Sequence, residues 1–367
     1  MRIAMIGSRG VPAGIGGVEH VVEQLTRELT ARGHEVLVYA RRWYLQTCPQ
    51  TPLPKGARVI VTAGAVGKHC DTITHTATAM WDVLGRGVDL VHIFSPGPAL
   101  LAFAPAAAGR KVVFTVQGPD WEGSKWSRPA RWILGGGLGV GMRFAAAVSA
   151  VSVNLRDYLS DRYGRDVSYI PNGVRVEGPR APRIITELGL RADRYGLYVG
   201  RIVPGKAVDV LIRSWRQAQA GMPLVIVGNG GHDGSYESTC RMAADGSVIF
   251  VGPRFGDALA ELYSNAAIVV QPSRREGMSL VLLEAAAHGR CVVARDIPAN
   301  RQVLGEAMEG FDGDSPEALG QAIMKCLANT ALRRQLGADA RKRVTERFSW
   351  QDIAGEYERV YQCVLRS

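Results

Sequence analysis

The run Ser273-Arg274-Arg275-Glu276-Gly277-Met278-Ser279-Leu280-Val281-Leu282-Leu283-Glu284 sets two carboxylates at the ends of a small and apolar segment. Glu276 precedes a predicted helix. The first N–H groups of that helix, from Gly277, Met278, Ser279 and Leu280, lack intrahelical partners and can hold phosphate oxygens. Glu284 then falls about one and a half turns inside. A carboxylate among apolar side chains is costly unless it accepts hydrogen bonds, and sugar or ribose hydroxyls are good donors. Capping alone would explain Glu276, but not Glu284 as well.

Three further loops carry chemistry of the same kind. In Gly200-Arg201-Ile202-Val203-Pro204-Gly205-Lys206 the spacing is wrong for a Walker loop and no Ser or Thr follows the lysine. Two cations at a strand end can instead clamp one diphosphate through charge-assisted bonds and gain strength as the leaving group develops charge. Gly228-Asn229-Gly230-Gly231 follows an apolar strand and admits a ligand closely, although a plain turn would look the same. Gly14-Ile15-Gly16-Gly17 opens the first helix, where residues without Cβ let backbone N–H groups approach a phosphate. A Gly-rich tight turn is the structural alternative there.

In open α/β sheets ligands bind beyond the carboxyl ends of the strands, so each loop needs a strand before it and a helix after it. The chain supplies them. A strand over 2–6 gives way to a 3.6-residue period at Val18, Val21, Val22, Leu25 and Leu29, closed by Gly33. Further strands are predicted over 35–39, 58–62, 90–94, 112–116 and 146–149. After the turn cluster Ile170-Pro171-Asn172-Gly173 the pattern restarts, with strands over 196–199, 224–227, 248–251, 267–271 and 291–294. Helices near 208–220, 258–264, 279–288 and 316–328 alternate with them, and 349–365 reads as a last helix. Such alternation implies parallel sheets covered on both faces, and the fold class expected is α/β with two Rossmann-like domains facing a cleft. The predicted domains are 1–173, 174–348 and the helix from 349 to 367.

Length and composition agree. The 367 residues are enough for two cores, and 47% apolar with 21% charged residues is an ordinary globular balance. Six cysteines without a CxxC pair, and seven scattered histidines without HExxH, indicate neither a metal site nor a disulfide framework. No metal is expected. Asp312-Gly313-Asp314 imitates a DxD metal motif, but Ser315-Pro316-Glu317 follows, so an N-cap with Pro at N1 explains it. The cysteines read as free thiols in a reducing cytoplasm, and the N-terminus reads as a first strand and not a signal. The weakly polar stretch 133–153 holds Arg143 and five glycines, arguing for a buried or interfacial segment over a spanning helix.

The net charge of +10 is uneven: residues 1–175 carry 20 Lys/Arg against 12 Asp/Glu, and residues 176–367 carry 24 against 22. A basic first half suits an acidic partner. Lys125, Arg128, Arg131 and Arg143 lie among Trp121, Trp126, Trp132 and Phe144, a mixture that reads as a peripheral membrane contact rather than a nucleic-acid surface. A solvated basic face is the plain alternative.

Taken in order, Gly16-Gly17-Val18-Glu19, Ile170-Pro171-Asn172-Gly173-Val174, the Gly200 to Lys206 loop and the Glu276 to Glu284 motif resemble a family 4 glycosyltransferase of the GT-B type, nearly end to end. Gly7-Ser8-Arg9-Gly10-Val11-Pro12 and Asp120-Trp121 to Lys125-Trp126 are most similar to the bacterial rhamnosyltransferase-like branch of cell-surface polysaccharide synthesis. The resemblance implies a retaining, metal-independent transfer from a UDP-, GDP- or dTDP-sugar, with no cofactor, in which the leaving phosphate helps deprotonate the acceptor. It implies that Arg201 and Lys206 hold the donor diphosphate and that Glu276 contacts the sugar. Gly277, Met278, Ser279 and Leu280 would meet the phosphates and Glu284 the ribose. Gly228 and Asn229 would line the donor site, Val251, Gly252 and Pro253 would lie beside the base, and Gly16 and Gly17 would close over the phosphates from the other domain. The last helix would return to the first domain.

Many relatives place His-Gly where this chain has Gln117-Gly118. Gln can hydrogen-bond a sugar hydroxyl but carries no charge or proton near neutral pH. Gln117, Asp120, Trp121, Lys125 and Trp126 are the acceptor or sugar-pocket candidates, and the acceptor is a glycan, a lipid-linked or a small molecule. The expected activity is transfer of a hexose or deoxyhexose in the cytoplasm or at the inner face of the cell membrane. Two competitors are a nucleotide-sugar epimerase and a catalytically silent nucleotide-sugar-binding scaffold.

Overall fold

The computed structural model describes all residues except 15, 48–51, 66–69, 120, 122–126 and 232–233. The chain divides into two compact units, Met1–Gly173 with Trp350–Ser367, and Val174–Ser349.

The first unit runs β1 (Arg2–Ile6), α1 (Gly17–Ala31), β2 (Glu35–Arg41), α2 (Arg42–Thr47), β3 (Ala57–Thr62), α3 (Cys70–Leu84), β4 (Leu90–Phe94), α4 (Pro96–Ala99), α5 (Phe103–Ala107), β5 (Lys111–Val116), α6 (Arg128–Phe144), β6 (Ala147–Ala150), α7 (Val153–Tyr163) and β7 (Ser168–Tyr169). Its seven strands are all parallel in the order β3-β2-β1-β4-β5-β6-β7. Val21, Val22, Leu25 and Leu29 are buried, so the period read in the sequence is the inward face of α1.

The weakly polar stretch 133–153 is not one segment: it spans most of α6, all of β6 and the start of α7. Ser127 caps α6 by accepting from the Ala130 N–H at 3.4 Å. Its buried face sets two glycines beside Leu138 and Met142 for a steric reason. A Cβ at Gly137 would stand 2.0 Å from the Pro96 carbonyl oxygen, and one at Gly141 2.6 Å from the Phe114 ring. Closely packed on α4 and β5, α6 leaves Trp132, Ile133 and Phe144 exposed.

The second unit runs α8 (Ile184–Glu187), β8 (Gly196–Val199), α9 (Val208–Gln217), β9 (Leu224–Val227), α10 (Ser235–Ala243), β10 (Val248–Gly252), α11 (Gly256–Asn265), β11 (Ile268–Gln271), α12 (Leu280–Ala287), β12 (Cys291–Arg295), α13 (Pro298–Leu304), β13 (Glu309–Phe311), α14 (Pro316–Ala328) and α15 (Thr330–Arg347). Its six parallel strands lie in the order β10-β9-β8-β11-β12-β13, and the expected α/β class holds in both units. No described helix is long and apolar enough to cross a membrane.

The last helix, α16 (Trp350–Arg366), belongs to the first unit and packs on α1 and β5. Arg32 donates to Glu358 at 3.2 Å and to the Gln351 carbonyl at 2.6 Å. Beneath it lies a buried polar chain: His92 Nδ1 meets Tyr361 Oη at 2.7 Å, and His92 Nε2 meets Thr115 Oγ1 at 2.7 Å. Burial alone pulls the His92 imidazole down to about 3. His288 in the second unit is lowered to about 4, again mainly by burial.

Both histidines stay neutral in the fold while the unfolded chain protonates below about 6.5, so the unfolded state binds more protons as the pH falls. Stability is therefore expected to be flat above that pH and to decline from pH 6.5 to 5, by about 1.4 kcal/mol per pH unit for the fully buried His92. Urea unfolding at pH 7.5, 6 and 5 measures this. A His92→Gln variant, less stable throughout, should lose that share of the slope; an unchanged slope would remove His92 as its source.

Candidate active site

In each sheet the chain winds outward on one side of a central strand and then returns to its other side. That reversal lies between β1 and β4 in the first unit and between β8 and β11 in the second. Ligands bind at such switch points because the loops beyond the two strands diverge to opposite faces and leave a crevice. The loops leaving β8 and β11 contain Arg201, Lys206 and Glu276.

These loops are joined by hydrogen bonds. Arg274 donates its backbone N–H to the Gly205 carbonyl at 3.0 Å and its Nη1 to the Pro204 carbonyl at 2.6 Å. Lys206, on a 3-10 turn over Pro204–Lys206, donates from Nζ to Glu276 Oε1 at 2.5 Å. Glu276 also accepts from Gln271 Nε2 at 3.3 Å, and the same amide reaches Ser279 Oγ at 3.3 Å. Two atoms beside this cluster, Gln271 Oε1 and Ser273 Oγ, are buried with no partner among the described residues. Tyr198 sits underneath, fully buried, donating its hydroxyl to the Arg201 carbonyl at 2.9 Å. Burial pushes its phenol well above the ordinary range, and the nearby Glu276 carboxylate adds to the shift. The Arg201 side chain is exposed.

The neighbouring loops are tied to this one. Gly228 donates its N–H to the Gly252 carbonyl at 3.1 Å, Gly200 to Val227 at 3.0 Å, and Ile202 to Asn229 at 2.8 Å. The backbone of Arg201, Gly228, Asn229 and Gly252 is thereby gathered on one rim, at the carboxyl ends of β8, β9 and β10. Val251 and Gly252 finish β10, and Pro253 follows.

The structure revises one expectation. Helix α12 begins at Leu280, with Ser279 as its N-cap, so the amides of Gly277, Met278 and Ser279 belong to the turn before it. Ser279 occupies the N-cap position without a side-chain bond to the helix end, its hydroxyl instead accepting from Gln271 Nε2. Met278 is buried. Glu284 lies in α12 beside Tyr263, whose phenol is raised by burial and further by that carboxylate.

Asp314 is engaged by two cations: Arg274 Nε lies 3.0 Å from each of its oxygens and Arg295 Nη2 lies 2.5 Å from Oδ1. Ser315 caps α14 with Pro316 in its first turn. Among the described residues no group of three His, Cys, Asp or Glu could hold a metal ion.

In the first unit the loop after β1 is braced by its own helix. Glu19 accepts from the Arg9 N–H at 2.9 Å, and Glu23 from the Ala13 N–H at 2.6 Å. Gly16 is the α1 N-cap at φ 124°, and Gly17 is the first helical residue. A Cβ on Gly16 would stand 2.0 Å from Glu19 Oε2, so this carboxylate already fills part of the helix N-terminus. Gln117 accepts from Asn172 Nδ2 at 3.1 Å while its own Nε2 is buried without a partner among the described residues. Trp121 stacks on Tyr158 at 5.9 Å. Asp120, Lys125 and Trp126 lie outside the described residues.

Two site residues escape a reading of the sequence. Gln271 is the one polar end of the apolar strand Ile268-Val269-Val270-Gln271, a signal that periodicity passes over. Asn172 sits in the turn motif, with nothing local to link it to Gln117.

A family model described as Glycosyltransferase Family 4 matches residues 15–177, and one described as Glycosyl transferases group 1 matches 193–329. A phosphatidyl-myo-inositol mannosyltransferase from Mycolicibacterium smegmatis is 30% identical over 99% of this chain and 94% of its own length. The chain is a family 4 glycosyltransferase. A glycogen synthase from Mycobacterium tuberculosis is 26% identical to this glycosyltransferase over its full length and 95% of that protein's. Among solved structures, the sucrose-phosphate synthase of Thermosynechococcus elongatus superposes with a TM-score of 0.81 at 23% identity, covering 100% and 99% of the two chains. An Anabaena protein solved with UDP and glucose gives 0.80 at 18%, covering 98% and 99%. These likenesses establish the GT-B fold for the enzyme.

Proposed function

We propose that this glycosyltransferase moves a hexose or deoxyhexose from a UDP-, GDP- or dTDP-sugar to a glycan, lipid-linked or small-molecule acceptor, with retention and without a metal. The Lys206–Glu276 pair at the second unit's switch point carries the reading, because it sets a cation for the diphosphate against a carboxylate for sugar hydroxyls. Arg201 joins Lys206 on the diphosphate, the amides of residues 277–280 hold its oxygens, Glu284 takes the ribose, and the end of β10 flanks the base. The second unit is then the donor domain and the first the acceptor domain, with Gln117 and Trp121 at the acceptor. As the bond from C1 to the diphosphate oxygen breaks, the acceptor oxygen attacks the same face and its proton passes to the departing phosphate. The donor-side cations stabilise the growing charge. A rhamnosyltransferase-like role in cell-surface polysaccharide assembly, at the cytoplasmic face of the membrane, fits the loop sequences of the first unit.

A panel of UDP-, GDP- and dTDP-sugars tests this. A ligand at about 100 times its Kd stabilises by about 2.7 kcal/mol, a rise in melting temperature of roughly 5 to 10 °C for units of this size. One base class should give that shift, and acceptor should then release free nucleoside diphosphate. An isomerised donor would mean an epimerase, and a shift without turnover a binding scaffold.

A further inference from the structure

On the outer side of α6 the first unit opens a groove of about 630 Å³ walled by Trp121, Arg128, Arg131, Trp132, Arg162 and Tyr163. None of its three guanidiniums is ion-paired with a carboxylate among the described residues. Arg162 is held in place by aromatic contacts: it donates to Tyr158 Oη at 3.2 Å and lies 5.8 Å from the Tyr163 ring centroid. Because Trp121 stacks on Tyr158, these residues form one continuous wall. The nearby Arg165, by contrast, is committed to the carbonyls of Met142 and Ala145.

The groove is bordered by apolar surface that a soluble anion would not need. Trp132 is 86% exposed and Ile133 42%, one turn from the arginines. Helices α3, α5 and α6 pack in one layer with α4, and that layer also exposes Trp81 at 82%, with Phe103 and Phe144 half exposed and in edge contact at 6.3 Å. Exposed tryptophans are costly in water and favoured at the headgroup level of a bilayer, where their rings meet both apolar and polar surroundings. Cations beside them meet the negative potential of anionic lipids.

We propose that this groove is a lipid-phosphate site: Arg128, Arg131 and Arg162 take the phosphate of an anionic membrane lipid while Trp132 and Ile133 enter the interface. The occupant is a bilayer surface, and the site lies within the first unit, so the inference stands without the assignment of donor residues.

Co-sedimentation of the full chain with vesicles of phosphatidylcholine alone, and of phosphatidylcholine mixed equally with phosphatidylglycerol, reads the binding without any nucleotide. The wild type should bind only the mixed vesicles. An R128Q/R131Q/R162Q variant should lose about 100-fold in affinity, from roughly fivefold for each guanidinium near the surface. W132A should weaken binding at high salt, where charge is screened. All these side chains are at least partly exposed, and unchanged melting temperatures verify folding; the single R162Q variant serves if the triple variant fails that check. Equal binding by wild type and arginine variants, or no preference for the mixed vesicles, overturns the proposal. So does glycerol phosphate binding as tightly as the vesicles with W132A unaffected, which would assign the groove to a soluble phosphorylated acceptor.

Discussion

Replacing Lys206 with alanine is expected to lower kcat/KM for sugar transfer by about 100- to 1,000-fold, the usual loss when one preorganised donor to a developing anion is removed. The effect should fall mainly on kcat, because the cation gains most as the diphosphate departs. Lys206 also neutralises Glu276 in the ligand-free chain, with both side chains largely buried. Its removal leaves a carboxylate unpaired, so some loss of stability should accompany the kinetic defect. A double-mutant cycle separates the two. K206A/E276A should recover the stability lost to the unpaired carboxylate, while turnover, which needs both groups, stays low. Arg201→Ala should cost less, since its side chain is exposed and its charge is better screened by solvent. Steady-state kinetics within threefold of wild type for both single variants would end the diphosphate-clamp reading.

Gly228→Ala is expected to be as damaging, for a reason of backbone geometry. Gly228 has φ 135°, and a Cβ there would lie 1.9 Å from the Gly200 carbonyl oxygen. Neither backbone can yield without breaking the bonds from Gly228 to Gly252 and from Gly200 to Val227. Strain at such a position and the lost junction together should cost about 2 to 4 kcal/mol. Shifting the rim that carries Arg201 by about 1 Å should cost roughly 100-fold in turnover. The control is Gly231→Ala, at φ 74° with open space around it, which should lose only about 1 kcal/mol. Urea unfolding and kcat/KM of the two variants compare them directly; equal losses would mean that the close approach to Gly200 is not what demands glycine at 228.

The enzyme's elements were legible wherever an apolar run met glycine or a polar boundary. Strands over 90–94, 196–199 and 224–227 have their predicted limits, as does the helix over 316–328. Others were not. Strand β13 has three residues, Glu309–Phe311, and β7 has two, too short for an alternation to register. Helix α15 carries charged and apolar residues on all sides, so no face announces it. The helix predicted near 279–288 is α12, but the amides from Gly277 to Ser279 precede its first turn, because Ser279 is the N-cap.

By itself the sequence determined which groups are available and roughly where: an α/β chain in two rounds, Gly-rich loops at strand ends, Arg201 and Lys206 in one of them, and two carboxylates around a helix start. These are local properties, set by side-chain type and by spacing along the chain. Tertiary structure decided which loops became neighbours. Strand order put β8 beside β11, so Lys206 meets Glu276 across seventy positions of sequence, and it set Asn172 against Gln117 and Arg162 in the groove with Arg128. Such pairings arise only when distant segments close on a common core, and no local pattern in the chain encodes the partner each will find.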